Sequence, residues 1–329
     1  MSVDRPSPLA GEGARQGRRG TLARAGRSRT LQLNDRAREA VTGYLFMLPW
    51  LIGFLGLVLG PMVASLWLSL TKYDLLTPPR WIGGQNYLDL LSDPRYLQSV
   101  RVTLTYVGLA VPLRLVFALL LALVLNRGVR GLDLYRATFY VPSLLGASVA
   151  IAILWRQLFG GDGVLDQLLR LLGWHDPPAW VVNPRFALLT LVVLAIWEFG
   201  SPMVIFLAGL RQIPRELYEA AMVDGAGGVA RFLRITLPLL TPLVLFNLVL
   251  QTIGSFQAFT PAYIVSGGSG GPVDSTLFYT LYLYQQAFGS LHMGYGAAMA
   301  WILLAAIAVV TAVIFASSRY WVFYMEQSR

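Results

Sequence analysis

Six long apolar segments, each nearly free of charged side chains, alternate with polar stretches along this 329-residue chain. A bilayer-spanning helix needs roughly 20 mostly apolar residues, and in hydrocarbon its backbone amides must be paired within the segment. The pattern therefore predicts an all-α fold, a polytopic membrane protein with six transmembrane helices. The six segments cover residues 44–70, 102–126, 137–155, 186–210, 235–265 and 293–318.

Composition supports the same class, and charge adds an orientation. Hydrophobic residues make up 56% of the chain and charged residues 13%, whereas soluble proteins average about 25% charged residues. This excludes an ordinary soluble domain and a disordered chain. Eighteen of the 26 Lys and Arg residues lie in the two tails and in the loops at 127–136 and 211–234. Because cytoplasmic segments carry the excess of basic residues, both termini are predicted to be cytoplasmic, and the net charge of +9 requires no nucleic acid partner.

Three regions are expected along the chain. Residues 1–40 are rich in Arg, Gly, Ser and Pro, a composition typical of a disordered tail, and its arginines suit anionic membrane lipid. The six-helix transmembrane domain is predicted over residues 41–319. A short cytoplasmic tail follows at 320–329.

The cytoplasmic loop at 211–234 has the signals of two short helices separated by a glycine. Pro214 suits the first turn of a helix, and Gly225 suits the left-handed position that follows a helix end. Small residues such as Ala220 and Ala221 offer a surface that another protein can approach closely. On these grounds alone, a plain connector between two spans is the equal alternative.

The order of residues in this loop resembles the EAA loop of ABC importer permeases. Glu219-Ala220-Ala221, then Gly225, then Leu237-Pro238 follow at the spacing of that loop. Other segments, such as Phe139-Tyr140-Val141-Pro142, are similar to the carbohydrate-uptake branch, which includes the maltose and glycerol-3-phosphate permeases. The resemblance covers roughly residues 40–325 and implies the type I ABC importer permease fold in a bacterial or archaeal plasma (inner) membrane. It implies that docking to an ATPase subunit uses Glu219, Ala220, Ala221, Asp224 and Gly225.

The resemblance also implies the partners of the chain. These are a second, homologous permease that forms a heterodimer with it, two ABC ATPase subunits and an extracytoplasmic solute-binding protein. The chain itself is expected to be no enzyme, with no catalytic residue, cofactor or metal. Its single lysine, Lys72, lacks the glycine frame of a phosphate-binding loop. His175 and His292 lack the spacing of metal ligands.

Polar side chains recur at every fourth position of the fifth apolar segment. Asn247, Gln251, Ser255 and Phe259 share one helix face because residues four apart lie above one another. Amides and hydroxyls that lead to an aromatic ring suit a sugar, and the stripe therefore predicts part of a substrate pathway. Hydrogen bonding between helices is the alternative. Resemblance to the maltose permease favours Gln251 and Ser255 and adds Ala258.

The fourth segment carries a carboxylate, Glu198, about halfway along its length. A buried carboxylate must be paired or protonated, and two explanations stay open: it binds sugar hydroxyls, or it pairs with Arg114 of the second segment. The resemblance places Glu198 and Phe199 beside the substrate cavity, and residues 200–202, Gly-Ser-Pro, are predicted to bend the helix there.

The state of Arg114 bears on substrate class. An unpaired Arg114 would favour an anion such as a phosphoester, whereas a paired Arg114 favours a neutral saccharide. The sequence thus predicts a sugar-importing ABC permease, with a phosphoester permease as the alternative. A stand-alone secondary transporter is the alternative from another class, but no repeat of the kind common in those proteins is visible.

Overall fold

A computed structural model describes residues 27–126, 132–146 and 148–323. Residues 1–26 of the predicted tail at 1–40, residues 127–131 of the predicted loop at 127–136, and residues 324–329 of the predicted tail at 320–329 lie outside the described residues. The described chain is mostly helical, which confirms the predicted fold class. Within it, the strands are limited to one antiparallel pair, β1 (Thr71–Lys72) and β2 (Arg80–Trp81), which the sequence did not predict.

Fifteen α-helices follow one another along the described residues. They are α1 (Arg27–Gly53), α2 (Gly60–Ser69), α3 (Gln85–Ser92), α4 (Pro94–Leu125), α5 (Leu132–Leu145), α6 (Val149–Leu158), α7 (Val164–Leu171), α8 (Ala187–Trp197), α9 (Gly200–Gln212), α10 (Arg215–Val223), α11 (Gly228–Arg231), α12 (Leu237–Phe256), α13 (Thr260–Val265), α14 (Tyr279–Tyr284) and α15 (Met293–Ser318). Shorter π-helical or 3-10 segments lie at Phe54–Leu59, Phe232–Thr236, Pro272–Asp274 and Gln285–Gly289.

The described helices account for six spans when bent pairs are counted as one. Four runs are long and apolar enough to cross a membrane by themselves, and two further spans are pairs of helices joined at a bend. The bend between α8 and α9 is 41° and lies where the Gly-Ser-Pro sequence predicted it. The four unbroken runs are Ala37–Ser69, Pro94–Leu125, Gly228–Val265 and Met293–Ser318.

The third apolar segment was predicted as one helix, and the structure divides it. The chain turns by 94° between α5 and α6. Gly146 N donates to the Pro142 carbonyl at 2.8 Å and closes the last turn of α5. Ser148 then starts α6, because its hydroxyl accepts from Ile151 N at 3.3 Å as an N-cap does. A serine cap inside an apolar run was the signal for this break.

The chain forms two units, which divide between Ala64 and Ser65. In the first unit, α1 continues through the π-helical segment into α2. Its apolar side chains are exposed, as shown by Phe46 at 84% and Leu57 at 81%, and this suits a helix surface that faces lipid.

In the second unit, α4 is the central helix and packs against α8, α9, α12 and α14. One apolar cluster forms around Tyr106 and Phe278, and a second around Met203 and Leu240. The first cluster ends on α4 at Ala110, and the second begins at the next residue. Arg114 therefore lies close to the boundary between the two apolar clusters.

Candidate functional site: a cavity with a paired charge

A cavity of about 330 Å³ opens where α4, α8 and the end of α12 meet. Its wall combines one arginine and one carboxylate with hydroxyl, amide and aromatic groups. The residues that line it are Tyr106, Arg114, Leu194, Ala195, Glu198, Gly254, Ser255, Gln257, Ala258, Phe259, Thr260 and Pro261. These groups are of the kinds that orient a polyhydroxylated ligand, which needs a few placed polar groups within an otherwise apolar wall.

Arg114 and Glu198 form an ion pair in the wall of this cavity. Arg114 Nη2 donates to Glu198 Oε2. The same guanidinium donates from Nη1 to Gln251 Oε1 and from Nε to the Ala195 carbonyl, both at 2.5 Å. The side chains of Arg114 and Glu198 are only 12% and 19% exposed. Of the two explanations open for Glu198, the structure shows the pairing, and the pair is net neutral.

Ser143 stabilises the bend that carries Glu198. The break between α8 and α9 frees backbone groups, and the Ser143 hydroxyl donates to the Glu198 carbonyl while accepting from Ser201 N, both at 2.8 Å. A freed polar group in a membrane protein must find such a partner. Close packing at Gly200 makes this possible, since a Cβ there would lie 2.8 Å from Tyr140 Cα. The backbone groups that the bend frees at Glu198 and Ser201 are therefore bound by Ser143 of α5.

The predicted stripe does not stay on one helix face, because α12 ends at Phe256 and Phe259 lies just before α13. Its four members lie in three environments. Ser255 and Phe259 line the cavity, as does Ala258, which the resemblance added. Gln251 binds Arg114 rather than facing open space. Asn247 is fully buried and donates to the Leu243 carbonyl at 3.1 Å, and its Oδ1 has no hydrogen-bond partner among the described residues. Asn247 is therefore not part of the cavity wall.

Phe199 also lies away from the cavity wall. It is 6% exposed and packs edge-on against Phe117, with ring centroids 5.0 Å apart, and against Phe139 at 5.9 Å. Phe199 therefore packs the start of α9 against α4 and α5, and it does not line the cavity.

Tyr106 is a cavity residue that sequence reasoning missed. It lies on α4 eight residues before Arg114, and therefore on the same helix face. That spacing was a usable signal. The contact from Arg114 to Gln251 had no such signal, because periodicity within one helix says nothing about its partner on another.

The loop between α9 and α12 has the predicted helix–glycine–helix form. The helix α10 ends at Val223, and Gly225 has a φ of +76°, the left-handed conformation that favours glycine. Of the predicted docking residues, Ala221 is partly buried, and the others are exposed: Glu219, Ala220, Asp224 and Gly225.

An exposed apolar patch accompanies these residues. Val223 is 89% exposed, Val229 75% and Met222 52%. Met222 and Val223 lie outside the candidate membrane spans, and apolar side chains grouped at such a surface are typical of a protein contact. The Tyr218 hydroxyl lies 2.9 Å from Thr236 Oγ1, which connects α10 to the start of the fifth span.

Asp93 organises the first turn of α4, at the opposite end from Leu125. Its Oδ1 caps the helix by accepting from Arg95 N at 2.9 Å, and its Oδ2 accepts from the hydroxyls of Tyr282 at 2.5 Å and Tyr295 at 2.8 Å. Burial raises the pKa of the Asp93 carboxyl, but the hydrogen bonds from these tyrosines and from the backbone outweigh burial and hold this pKa below its usual value. Asp93 thus joins three helices, α4, α14 and α15.

Comparison with known proteins gives one consistent result. The family model described as "Binding-protein-dependent transport system inner membrane component" matches residues 91–326. The probable ABC transporter permease protein YesP of Bacillus subtilis is 52% identical over 288 residues, covering 87% of this chain and 93% of that protein. The lactose transport system permease protein LacF of Rhizobium radiobacter is 32% identical over 284 residues, covering 85% and 94%.

A solved structure is also similar in fold. A chain in the crystal structure of a bacterial alginate ABC transporter, in complex with an alginate pentasaccharide-bound periplasmic protein, matches with a TM-score of 0.74 at 22% identity. The match covers 87% of this chain and 96% of that chain.

Proposed function

Because the chain belongs to the family of binding-protein-dependent transport system inner membrane components, we propose that it is the permease subunit of an ATP-driven importer that carries a neutral saccharide. Membership confirms the predicted family and the multi-pass membrane fold. It also confirms that the chain is a permease subunit rather than an enzyme, and it decides against a stand-alone secondary transporter.

The paired charge in the cavity is the observation that carries the saccharide proposal. With Arg114 paired to Glu198, the wall presents no net charge, and the remaining polar groups are hydroxyls and amides such as Ser255 and Gln257. Phe259 adds an aromatic face, on which the C–H groups of a sugar ring can pack. The lactose permease among the relatives supports the same substrate class.

A phosphoester is the less favoured substrate. It would require a guanidinium free to bind phosphate, as arginine does with two parallel hydrogen bonds. The donors of Arg114 are instead directed to Glu198, Gln251 and the Ala195 carbonyl. Binding a phosphoester here would therefore mean breaking an ion pair that is largely shielded from water.

Coupling to the ATPase is proposed for the loop that contains α10. Glu219, Ala220, Ala221, Asp224 and Gly225 form the docking surface, and the exposed apolar side chains beside them support this role. The Tyr218–Thr236 contact links α10 to the span that continues to Gln251 and Ser255. Movement of α10 would thus be transmitted through Thr236 and α12 to the cavity.

The complete importer would contain four further components. They are a second, homologous permease, two ABC ATPase subunits in the cytoplasm and a solute-binding protein on the other side. Both termini of this chain and the α10 loop face the cytoplasm in this proposal. ATP and the loaded solute-binding protein would each favour one state of the cavity, since a ligand shifts an equilibrium only by its differential affinity for the two states.

Co-purification and uptake with the full complex test this proposal. Wild-type protein is expected to retain an ABC ATPase and to support uptake of neutral saccharides but not of glycerol-3-phosphate. Glu219→Arg is expected to abolish both association and uptake, while Asp176→Arg, at an exposed acid outside the loop, leaves both unchanged. Absence of an associated ATPase, or association that Glu219→Arg does not affect, would overturn the coupling role. Uptake of glycerol-3-phosphate alone would overturn the substrate class.

A further inference from the structure

Gly146, which directly follows the last residue of α5, is packed against the side chain of Glu198. A Cβ built on Gly146 would lie 2.5 Å from Glu198 Cδ, and Glu198 Cγ and Oε1 would be closer still. Non-bonded carbon atoms pack at about 3.5–4.0 Å from one another. No side chain therefore fits at position 146 while Glu198 keeps its present position.

This glycine is required by space and not by backbone conformation. The φ of Gly146 is not positive, unlike that of Gly225. Gly146 N donates to the Pro142 carbonyl at 2.8 Å, as in a regular helical turn, and an alanine can adopt such a backbone. What position 146 excludes is a side chain, because the three atoms nearest to the missing Cβ all belong to Glu198.

Other crowded glycines among the described residues have a different kind of neighbour. At Gly200 and Gly294 the missing Cβ would lie nearest to backbone atoms of another segment, and at Gly209 it would lie nearest to the apolar side chain of Leu243. Of the described glycines, only Gly146 would bring a Cβ within 3.0 Å of an ionisable side chain. Its neighbour is therefore a charged group of the cavity wall.

The last turn of α5 contacts Glu198 at both its backbone and its side chain. The Ser143 hydroxyl donates to the Glu198 carbonyl at 2.8 Å. Gly146 follows three residues later, on the same helix face, and leaves room for the side chain. From this position Glu198 Oε2 accepts from Arg114 Nη2. A side chain at position 146 that displaced the carboxylate would leave Arg114 Nη2 without this acceptor.

We propose that Gly146 is a positioning residue for substrate selection, because its missing side chain lets the Glu198 carboxylate reach Arg114. The inference rests on the proposed saccharide function and adds a residue that acts through Glu198, since Gly146 itself does not line the cavity. With glycine at position 146, Arg114 is paired and the wall suits a neutral saccharide. With a larger residue there, Arg114 Nη2 becomes available to the carboxylate of an acidic saccharide, which a guanidinium binds through charge-assisted hydrogen bonds.

Thermal unfolding of the purified complete importer tests the contact itself. Gly146→Ala is expected to lower the unfolding midpoint by about 2–4 °C, because the new Cβ must displace the Glu198 side chain from Arg114. Glu198→Ala removes Cγ, Cδ and Oε1, the atoms that this Cβ would meet. In the Glu198→Ala background, Gly146→Ala should therefore shift the midpoint by less than about 1 °C. Gly108→Ala is the matched control and should not lower the midpoint, since Gly108 is an exposed residue of α4 with no atom within 4 Å of its missing Cβ.

Competitive uptake by the complete importer tests the effect on substrate charge. The probe is an equimolar mixture of neutral gluco-, galacto-, xylo-, manno- and arabino-disaccharides and trisaccharides with counterparts that end in a uronic acid, and depletion is measured by mass spectrometry. Gly146→Ala is expected to raise the ratio of acidic to neutral uptake about tenfold, equal to about 1.4 kcal/mol. Glu198→Ala should raise the same ratio, and adding Gly146→Ala should then change it less than about twofold, because both act on one contact. Gly108→Ala should retain the wild-type ratio, and the amount of complex in the membrane is measured for every variant.

The outcomes distinguish this inference from the proposed function. Equal falls in the midpoint in both backgrounds would mean that Gly146 serves only the turn between α5 and α6, and no fall in either would mean that Gly146 does not constrain Glu198. Either result overturns the inference. A fall that depends on Glu198, together with an unchanged uptake ratio, would overturn the role of Gly146 in substrate selection. If the wild type depletes no neutral saccharide, the proposed function fails, while the unfolding measurement still tests the contact between Gly146 and Glu198.

Discussion

Replacing Glu198 by glutamine removes the negative charge from the cavity while keeping the shape of the side chain. Loss of one partner from a buried ion pair costs about 3–5 kcal/mol because it leaves the other charge unpaired. Arg114 would still have the Ala195 carbonyl and Gln251 Oε1 as acceptors, each at 2.5 Å, and it borders a cavity. We therefore expect the cost of Glu198→Gln to lie at the lower end, about 3 kcal/mol.

A double-mutant cycle measures this pair directly. Arg114→Met and Glu198→Gln are each expected to lower the thermal unfolding midpoint of the purified complex. The double variant should be more stable than the sum of the two losses requires, by roughly 1–3 kcal/mol, because it leaves no unpaired charge. Strictly additive losses would refute the reasoning, since they would mean that the two side chains do not depend on one another.

The same substitution tests the role of charge in substrate choice. Glu198→Gln leaves Arg114 as a net positive charge in the cavity wall, and guanidinium binds carboxylate and phosphate strongly. Uptake of a saccharide that ends in a uronic acid should therefore rise relative to uptake of its neutral counterpart. An unchanged ratio between the two saccharides would show that the charge of this pair does not take part in selection.

Three further predictions concern the loop, the first turn of α4 and the orientation. Gly225→Ala should weaken ATPase association in a co-purification assay, because alanine at a φ of +76° costs about 1–2 kcal/mol. Gly227→Ala, at a φ of −68° with equally open surroundings, should not. Because folding holds the pKa of Asp93 below 3.8, ionised Asp93 stabilises the fold fully above pH 3.8, and this stabilisation is lost as the pH falls further. Thermal unfolding of Asp93→Asn, followed against pH, should therefore show lower stability near neutrality and a shallower acid loss. Since the chain contains no cysteine, an impermeant thiol reagent applied to intact cells should label Asp176→Cys but not Glu219→Cys, and the reverse pattern would contradict the orientation.

The hydrophobic pattern and the local turn signals were sufficient to predict much of the fold. The six apolar segments correspond to the spans, and the bend at Gly200 and the left-handed Gly225 follow from residue type at a known position. The turn of 94° between α5 and α6 was not predicted. The long apolar run indicated one continuous helix, and the possibility that Ser148 begins a second helix was overlooked. The missed signal was local and physical, a hydroxyl able to cap a new helix.

The site was less predictable because its contacts join helices that are distant in sequence. The sequence placed Gln251 and Ser255 on one face, but only the packing of α12 against α4 directs Gln251 to Arg114. Phe199 follows Glu198 directly, yet the bend turns it toward Phe117 and away from the cavity. Residues that are neighbours in sequence, or on one helix face, can thus differ in environment when a helix is broken between them.

In the proposed function, the position of the broken helix would bring substrate binding and helix movement to one place. Glu198 is the C-cap residue of α8 and lies in the break between α8 and α9, so a change in the angle between these helices would displace the carboxylate that Arg114 binds. Gln251 attaches the same arginine to α12, the helix that the α10 loop feeds. A motion that arrives along α12 and a saccharide that enters the cavity would therefore act on one hydrogen-bonded group. Packed helix interfaces change between discrete arrangements rather than deforming gradually. Because the Arg114–Glu198 pair lies where α4, α8 and α12 meet, movement of α12 would change the energy of saccharide binding, and saccharide binding would change the energy of that movement.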